Sequence, residues 1–300
     1  VLPRLLKQRQ IDVVHSPGYV CPLRPPCASV VTICDLNYIA LGAAMPRTKR
    51  MLLGWFVRQS ARHADHLLTL SQFSKTQMVQ MLGTDPAKIT VALLGPRDLP
   101  ADQSSVPWQE LERCYGLSRP YLLAFSSSSA HKNIPRLLQA YAQAGADLPQ
   151  RLALAGHLPE GGELHAEIER LGLRDRVLVT GYVPDAHVMP LLENADLFVF
   201  PSWYEGFGLP VLDAQQAGTA VACSTAASLP EVAGEGAALF DPRDVSDMAR
   251  VLRECLSDPT RRQELVARGH ANVQRFSWRK TASETLDVYR QVFPRRTEKE

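Results

Sequence analysis

The 300-residue chain has no C-x-x-C pair, and its six cysteines, at 21, 27, 34, 114, 223 and 255, show no metal-ligand spacing. A zinc ribbon or a thioredoxin-like redox motif is therefore excluded, and scattered cysteines in a chain this size predict reduced, mostly buried thiols and a cytoplasmic setting. Cys21 and Cys27 flank a proline-rich loop and are expected to stay unpaired. No uninterrupted apolar run reaches the roughly 18 residues of a membrane span. Charge of either sign is not in excess: the net value is +2, which gives no footing for a nucleic-acid partner. Repeats and low-complexity segments are missing. The start, Val-Leu-Pro, carries neither Met nor a secretory pattern and predicts a chain lacking an upstream segment.

What is present is an ordinary globular composition, 45% hydrophobic and 21% charged, long enough for two domains. Strand and helix patterns alternate, which predicts α/β architecture with parallel sheets covered by helices. Strands are expected at 11–15, 28–33, 66–70 and 89–93, with a helix over 47–64 whose inner face holds Leu52, Phe56 and Ala61. Ser71 reads as an N-cap and Gly83 as the stop of the helix between them. Residues 97–117, rich in proline, read as a linker. The βα rhythm restarts at Tyr121, with strands at 121–125, 152–155, 177–180, 197–200, 220–223 and 237–240. Met248, Leu252 and Leu256 mark a helix core face. Ser277 caps a last helix whose apolar face includes Leu286 and Tyr289.

The stretch Asp196–Gly218 organises the rest. Leu197-Phe198-Val199-Phe200 reads as a buried strand, Ser202–Gly208 as a glycine loop, and Pro210 as the first turn of a helix stopped by Gly218. Strand, loop and helix start bring backbone N–H groups and a helix dipole to face an anion. Glu205 and Asp213, eight apart, can border one pocket. From spacing alone, glycines that only shape a turn beside two solvated acids read equally well. A second loop, Ser126–Asn133, also follows a strand and opens a helix. Its small residues let the backbone approach a phosphate, with the Lys132 charge beside it; a serine-rich surface turn is the alternative.

The run P-S-x-Y-E-G-F-G-L-P-V-L-D resembles the E-x7-E signature of retaining glycosyltransferases of family 4 (glycosyl transferases group 1). These have the two-domain GT-B architecture of Rossmann-like domains. The last acid of the signature is usually Glu; here it is Asp213. His131-Lys132-Asn133 resembles the family's diphosphate loop, with Ser126 where many relatives have Gly. The segments T-I-C-D-L and A-R-H-A-D-H-L-L-T-L-S-Q-F-S-K resemble the end of a family 4 N-terminal domain. The resemblance implies a partial acceptor-side domain over 1–96, apparently truncated at its N-terminus. A nucleotide-sugar-binding domain would follow over 118–277, and a helix over 278–293 would cross back to the first.

The resemblance further implies transfer of a sugar from a nucleotide sugar, a UDP- or GDP-sugar co-substrate, to a hydroxyl of a glycan, a lipid-linked or a small-molecule acceptor. Glu205, Lys132 and Asp35 would be catalytic. The donor would be held by Ser126, His131, Lys132, Asn133, Glu205 and Asp213. The N–H groups of Gly206, Phe207, Gly208 and Leu209 would face sugar and phosphate, and the backbone of Gly181, Tyr182 and Val183 would read the base. Neither metal nor cofactor is implied, since Lys132, His131 and helix N-termini take their place. Asp35 follows Cys34 where the family often has His; a plain strand-end turn reads as well there. His15 reads as a structural histidine and Glu231 as structural. A catalytically impaired nucleotide-sugar-binding relative and a GT-B sugar-nucleotide epimerase stand as alternatives. A contact with the inner face of a membrane is open if the acceptor is a lipid. The oligomeric state is unspecified.

Overall fold

The computed structural model describes residues 1–40, 45–97, 106–127, 129–158 and 161–293. The chain divides into two compact units, the first comprising Val1–Gly95, Glu205–Phe207 and Phe276–Glu300, the second Pro96–Tyr204 and Gly208–Arg275.

The first unit is a four-stranded parallel sheet, β1 (Val13–Ser16), β2 (Ala28–Thr32), β3 (His66–Thr69) and β4 (Ile89–Val91), in that spatial order. Its helices begin with α1 (Leu2–Gln8), α2 (Asn37–Ala40), α3 (Arg47–His63) and α4 (Gln72–Leu82). The Ser71 hydroxyl accepts the Ser74 N–H at the start of α4, and Gly83, at φ +68°, ends it: the cap and stop chemistry acts as the residue types dictate. On α3 Ala61 faces inward as expected, but the rest of the inward face differs. Val57, Ser60 and Ala61 are buried, while Leu52 and Phe56 are exposed. The run Met51–Val57 offers two apolar stripes, and the one carrying the smaller side chains lies against Leu67 and Met78.

The second unit carries α5 (Trp108–Tyr115), β5 (Tyr121–Phe125), α6 (Ile134–Ala144), β6 (Arg151–Ala155), α7 (Glu163–Arg170), β7 (Val177–Gly181) and α8 (Asp185–Glu193). It continues through β8 (Leu197–Phe200), α9 (Leu209–Gln216), β9 (Val221–Ser224), α10 (Leu229–Ala233), β10 (Ala238–Phe240), α11 (Val245–Ser257) and α12 (Pro259–Val273). All six strands are parallel, in the order β10-β9-β8-β5-β6-β7. Both faces are covered, so alternate strand residues go to opposite cores. Leu122, Leu197 and Val199 pack with α6 and α11, whereas Tyr121, Phe198 and Phe200 pack with α5, α8 and α9. This explains why β8 reads as an unbroken apolar run rather than an alternating one. Of the stretch expected as a linker, 98–105 lies outside the described residues. Trp108–Tyr115 is a helix instead, with Leu111 fully buried in the second core.

The last helix, α13 (Trp278–Val292), starts on the Ser277 cap and belongs to the first unit. Val288 and Val292 pack on Ala28, Val30 and Leu68; Leu286, expected on that face, is exposed. His15 fastens this helix. One ring nitrogen lies 2.6 Å from the Tyr289 hydroxyl and the other 2.8 Å from Thr32 Oγ1. The neutral ring can donate to one and accept from the other, and burial holds its pKa below the ordinary 6.5. Because the folded-state pKa is the lower one, this stabilisation is complete above pH 6.5 and is lost as pH falls through the folded value. His15→Ala is expected to cost about 1–2 kcal/mol, speeding amide exchange in α13 by roughly 5- to 30-fold near neutral pH. Unchanged α13 protection would refute the fastening role.

No disulfide joins any of the six cysteines. Cys21, Cys27, Cys223 and Cys255 are buried, Cys34 is half-buried and Cys114 is exposed.

Candidate functional site

The strand order of the second unit reverses at β5 and β8. From β5 the chain builds outward through β6 to β7; from β8 it builds the other way through β9 to β10. Loops leaving the carboxyl ends of strands flanking such a reversal diverge to opposite faces and leave a crevice between them. Here those loops are 126–133 and 201–208, the two stretches singled out in the sequence. They meet: the Trp203 N–H donates to the His131 carbonyl at 3.0 Å.

Ala130–Lys132 forms a short 3₁₀ turn, and Asn133 follows in the left-handed region at φ +59° as the first cap of α6. Asn133 is buried, and its amide donates to the Pro201 carbonyl (3.1 Å) and the Pro242 carbonyl (2.8 Å). Its Oδ1 accepts from Arg136 at 3.1 Å. This side chain therefore holds three chain segments together, and its contribution to a ligand site is positional. The Lys132 ammonium rests 4.9 Å from the centroid of the Phe200 ring, a cation–π contact that fixes it at the end of β8. Ser126 is buried, and its hydroxyl has no hydrogen-bond partner among the described residues.

On the other side of the reversal, Gly208 (φ +113°) opens α9, with Leu209 and Pro210 in its first turn. The backbone angle at Gly208 favours glycine, and a Cβ there, 2.6 Å from Leu229 Cδ2, would also make the buried Leu229 side chain shift. Asp213, one turn into α9, is not a surface acid: it is 5% exposed. It borders a cavity of about 330 Å³ walled by Phe125, Val183, Val188 and Leu209, with Tyr182 exposed at its rim. That size and its mostly apolar walls suit a small planar ligand. Gly181 closes β7 at φ +72°, and its carbonyl accepts the Gly156 N–H at 3.0 Å.

Arg97 supplies the cavity's other charge. Its backbone N–H donates to Asp213 Oδ1 at 3.1 Å, and its Nε lies 3.5 Å from Oδ2, an ion pair without a hydrogen bond. A second, solvent-facing pair joins it to Asp185 at 3.3 Å. Burial pushes the Asp213 carboxyl above the ordinary carboxylate range, while the Arg97 N–H and positive charge pull it back. Arg97 lies in the proline-rich stretch read as linker, and only its arginine in G-P-R-D marked it in the sequence. Gly156 was equally hidden, as the mere end of a strand.

The first unit gathers the remaining residues. The hydroxyls of Ser71 and Ser74 donate to the Gly206 carbonyl, at 2.7 and 3.3 Å. A Cβ at Gly206 would lie 2.8 Å from both the Asp35 Cβ and the Cys34 carbonyl. Glu205, Gly206 and Phe207 thus sit beside Asp35, and Phe207 makes an edge contact with Phe276. Asp35 Oδ1 accepts from the Tyr19 hydroxyl (3.1 Å) and the Asn37 N–H (3.0 Å). Glu231 lies in α10. Among the described residues no group of three His, Cys, Asp or Glu could hold a metal ion, and no helix is long and apolar enough to cross a membrane.

The model of the family described as glycosyl transferases group 1 matches residues 116–272, more than half of the chain. The chain belongs to that family. A second family model, glycosyltransferase family 4, matches residues 1–95. This group 1 glycosyltransferase is similar to the O-antigen chain mannosyltransferase B of Escherichia coli, 29% identical over 282 residues, covering 93% of this chain and 74% of the relative. Sucrose-phosphate synthase from Thermosynechococcus elongatus has the same fold, with a TM-score of 0.80 at 20% identity over 98% of this chain and 76% of that one. So does the Anabaena protein HepE, solved in complex with UDP, with a TM-score of 0.74 at 20% identity over 97% of this chain and 81% of that one. The GT-B class read from the signature is the fold of this group 1 chain.

Proposed function

We propose that this glycosyltransferase moves a sugar from a UDP- or GDP-sugar to a glycan hydroxyl with retention of configuration. The observation that carries the reading is the meeting of loops 126–133 and 201–208 where the sheet order reverses, marked by the hydrogen bond from Trp203 to His131. There the Lys132 charge and the N–H groups of Gly208 and Leu209 at the start of α9 present themselves to a diphosphate. The neighbouring cavity takes the nucleoside, its base against Tyr182 and Val183, its ribose hydroxyls on Asp213. Asp is one methylene shorter than the family's usual Glu, and Arg97 fixes its direction. Charge on the leaving diphosphate is stabilised by these preorganised donors, and the acceptor proton passes to the departing phosphate. For Glu205 the signature, and for Asp35 the family's His-Asp position, imply roles toward the sugar and the acceptor.

Titration calorimetry with UDP, GDP, ADP and their sugars tests the reading, followed by mass spectrometry of products and assignment of the new anomeric centre. A tight diphosphate complex and a transfer product, formed equally well in EDTA, are expected. Failure of every nucleoside diphosphate to bind refutes it. Binding without transfer would favour an impaired relative, the reading that Cys34 motivates. Burial and the neighbouring Asp35 push that thiol's pKa up, so it does not replace an imidazole in acid–base work.

Asp213 gives this reading a pH signature. Ribose hydroxyls donate to the carboxylate, so affinity falls as pH drops through the Asp213 pKa, which burial has raised. Arg97→Ala removes the charge that pulls this pKa down. It is expected to move the loss of affinity to higher pH and to weaken binding at neutral pH by about fivefold. Superimposable pH profiles for the two proteins would remove Arg97 from the account.

A further inference from the structure

Helix α3 belongs to no part of the site described above, and its outer face is unlike the rest of the molecule. Met51, Leu52, Trp55 and Phe56 are 73%, 59%, 49% and 36% exposed. At 100° per residue these four fall on one side of the helix, opposite the buried Val57, Ser60 and Ala61. Trp55 and Phe56 meet edge to face at 5.0 Å and form a single aromatic knob. Exposed apolar groups occurring singly are unremarkable, but a contiguous set of this kind marks an interaction site.

The charges on α3 identify the partner. The helix holds five cationic residues, Arg47, Lys49, Arg50, Arg58 and Arg62, and no Asp or Glu. The whole chain nets only +2, so this one face is far more basic than the average surface. Arg47, Arg58 and Arg62 fall along one flank of the apolar strip and Lys49 along the other, all four exposed. A basic helix with Trp and Phe between its charges has the chemistry of an element lying in a membrane interface. Its rings enter the headgroup–acyl boundary and its cations meet anionic headgroups. Nucleic acid would satisfy the cations but leave the aliphatic and aromatic side chains in water, and an acidic protein would have to supply a matching apolar groove between its charges.

We infer that α3 docks this protein on the surface of an anionic lipid bilayer, with Met51, Leu52, Trp55 and Phe56 inserted and the arginines and lysine on headgroup phosphates. This extends the acceptor side of the proposed transfer to a lipid surface. It rests on that reading only for the choice of acceptor.

Co-sedimentation of the full chain with vesicles tests the inference. Binding is expected to vesicles of equal phosphatidylglycerol and phosphatidylcholine, to weaken in high salt, and to be minor on phosphatidylcholine alone. Trp55→Ser with Phe56→Ser is expected to abolish most of it. Replacing Arg47, Arg58 and Arg62 together by Gln is expected to weaken it on the order of a hundredfold, at about fivefold per cation. These residues are exposed, so both variants should keep their fold and nucleotide affinity, which calorimetry checks on the same preparations. Equal binding to neutral vesicles, none to anionic ones, or wild-type binding by either variant overturns the inference. So does a dimer in sedimentation velocity that the aromatic variant abolishes, which would make a second copy the occupant. Loss of nucleotide binding with vesicle binding intact would instead count against the proposed transfer.

Discussion

Lys132→Ala is expected to lower turnover by roughly two to three orders of magnitude and to weaken nucleotide-sugar binding as well. In the proposed transfer the leaving diphosphate gains negative charge as the sugar bond breaks, so a fixed cation favours the transition state over the ground state. One charge pair at 4 Å is worth about 4 kcal/mol at an effective dielectric of 20, before desolvation, and each 1.36 kcal/mol is tenfold in rate. The structure supplies the fixing. Lys132 ends a 3₁₀ turn capped by Asn133, its ammonium sits over the Phe200 ring, and the preceding carbonyl is tied to Trp203. Lys132→Met keeps the aliphatic stem over Phe200 and is expected to lose about as much, separating charge from packing. A loss below threefold in a confirmed transfer assay, for either variant, would sink the assignment.

Gly156→Ala is expected to cost the second unit about 3 kcal/mol or more. Gly156 has φ +141°, and a Cβ there would lie 2.0 Å from the Ser126 carbonyl oxygen and 3.1 Å from the Ser126 hydroxyl. No rotamer relieves a clash with backbone. The loop after β5 would have to move, breaking the Ser126 N–H bond to Ala155, 2.8 Å in the native structure. Nucleotide binding should therefore fall together with stability. Gly172→Ala is the control: its φ is +66° but nothing lies within 4 Å of the added carbon, so only backbone strain of about 1 kcal/mol is incurred. Thermal unfolding of both variants decides the matter, and equal losses would show that the contact with Ser126 is without consequence.

Much of this architecture could be read from residue order, because its determinants are local. Strand runs such as Leu197–Phe200, the Ser71 and Ser277 caps and the Gly83 stop each act within a few residues. What could not be read depends on which of several compatible partners wins in three dimensions. The apolar run of α3 permits two stripes, and only packing on Leu67 and Met78 selects the one with Val57 and Ala61. Asp213 was legible as a member of a motif but not as a buried acid, since its burial depends on Arg97, 116 residues away in sequence. Asn133 was legible as part of a phosphate loop. That its amide spans Pro201 and Pro242 follows from strand order, which short-range pattern does not encode. Trp108–Tyr115 was hidden by the prolines before it, although Leu111 and Leu117 both enter the core.

The sheet reversal has an evolutionary consequence. In the proposed reading, the groups that grip phosphate leave β5 and β8, while Gly156, Tyr182 and Val183, which form one side of the nucleoside cavity, follow β6 and β7. Mutation on that side can retune which nucleotide is recognised while leaving the anion clamp intact, so relatives could diversify their donors without rebuilding the catalytic core.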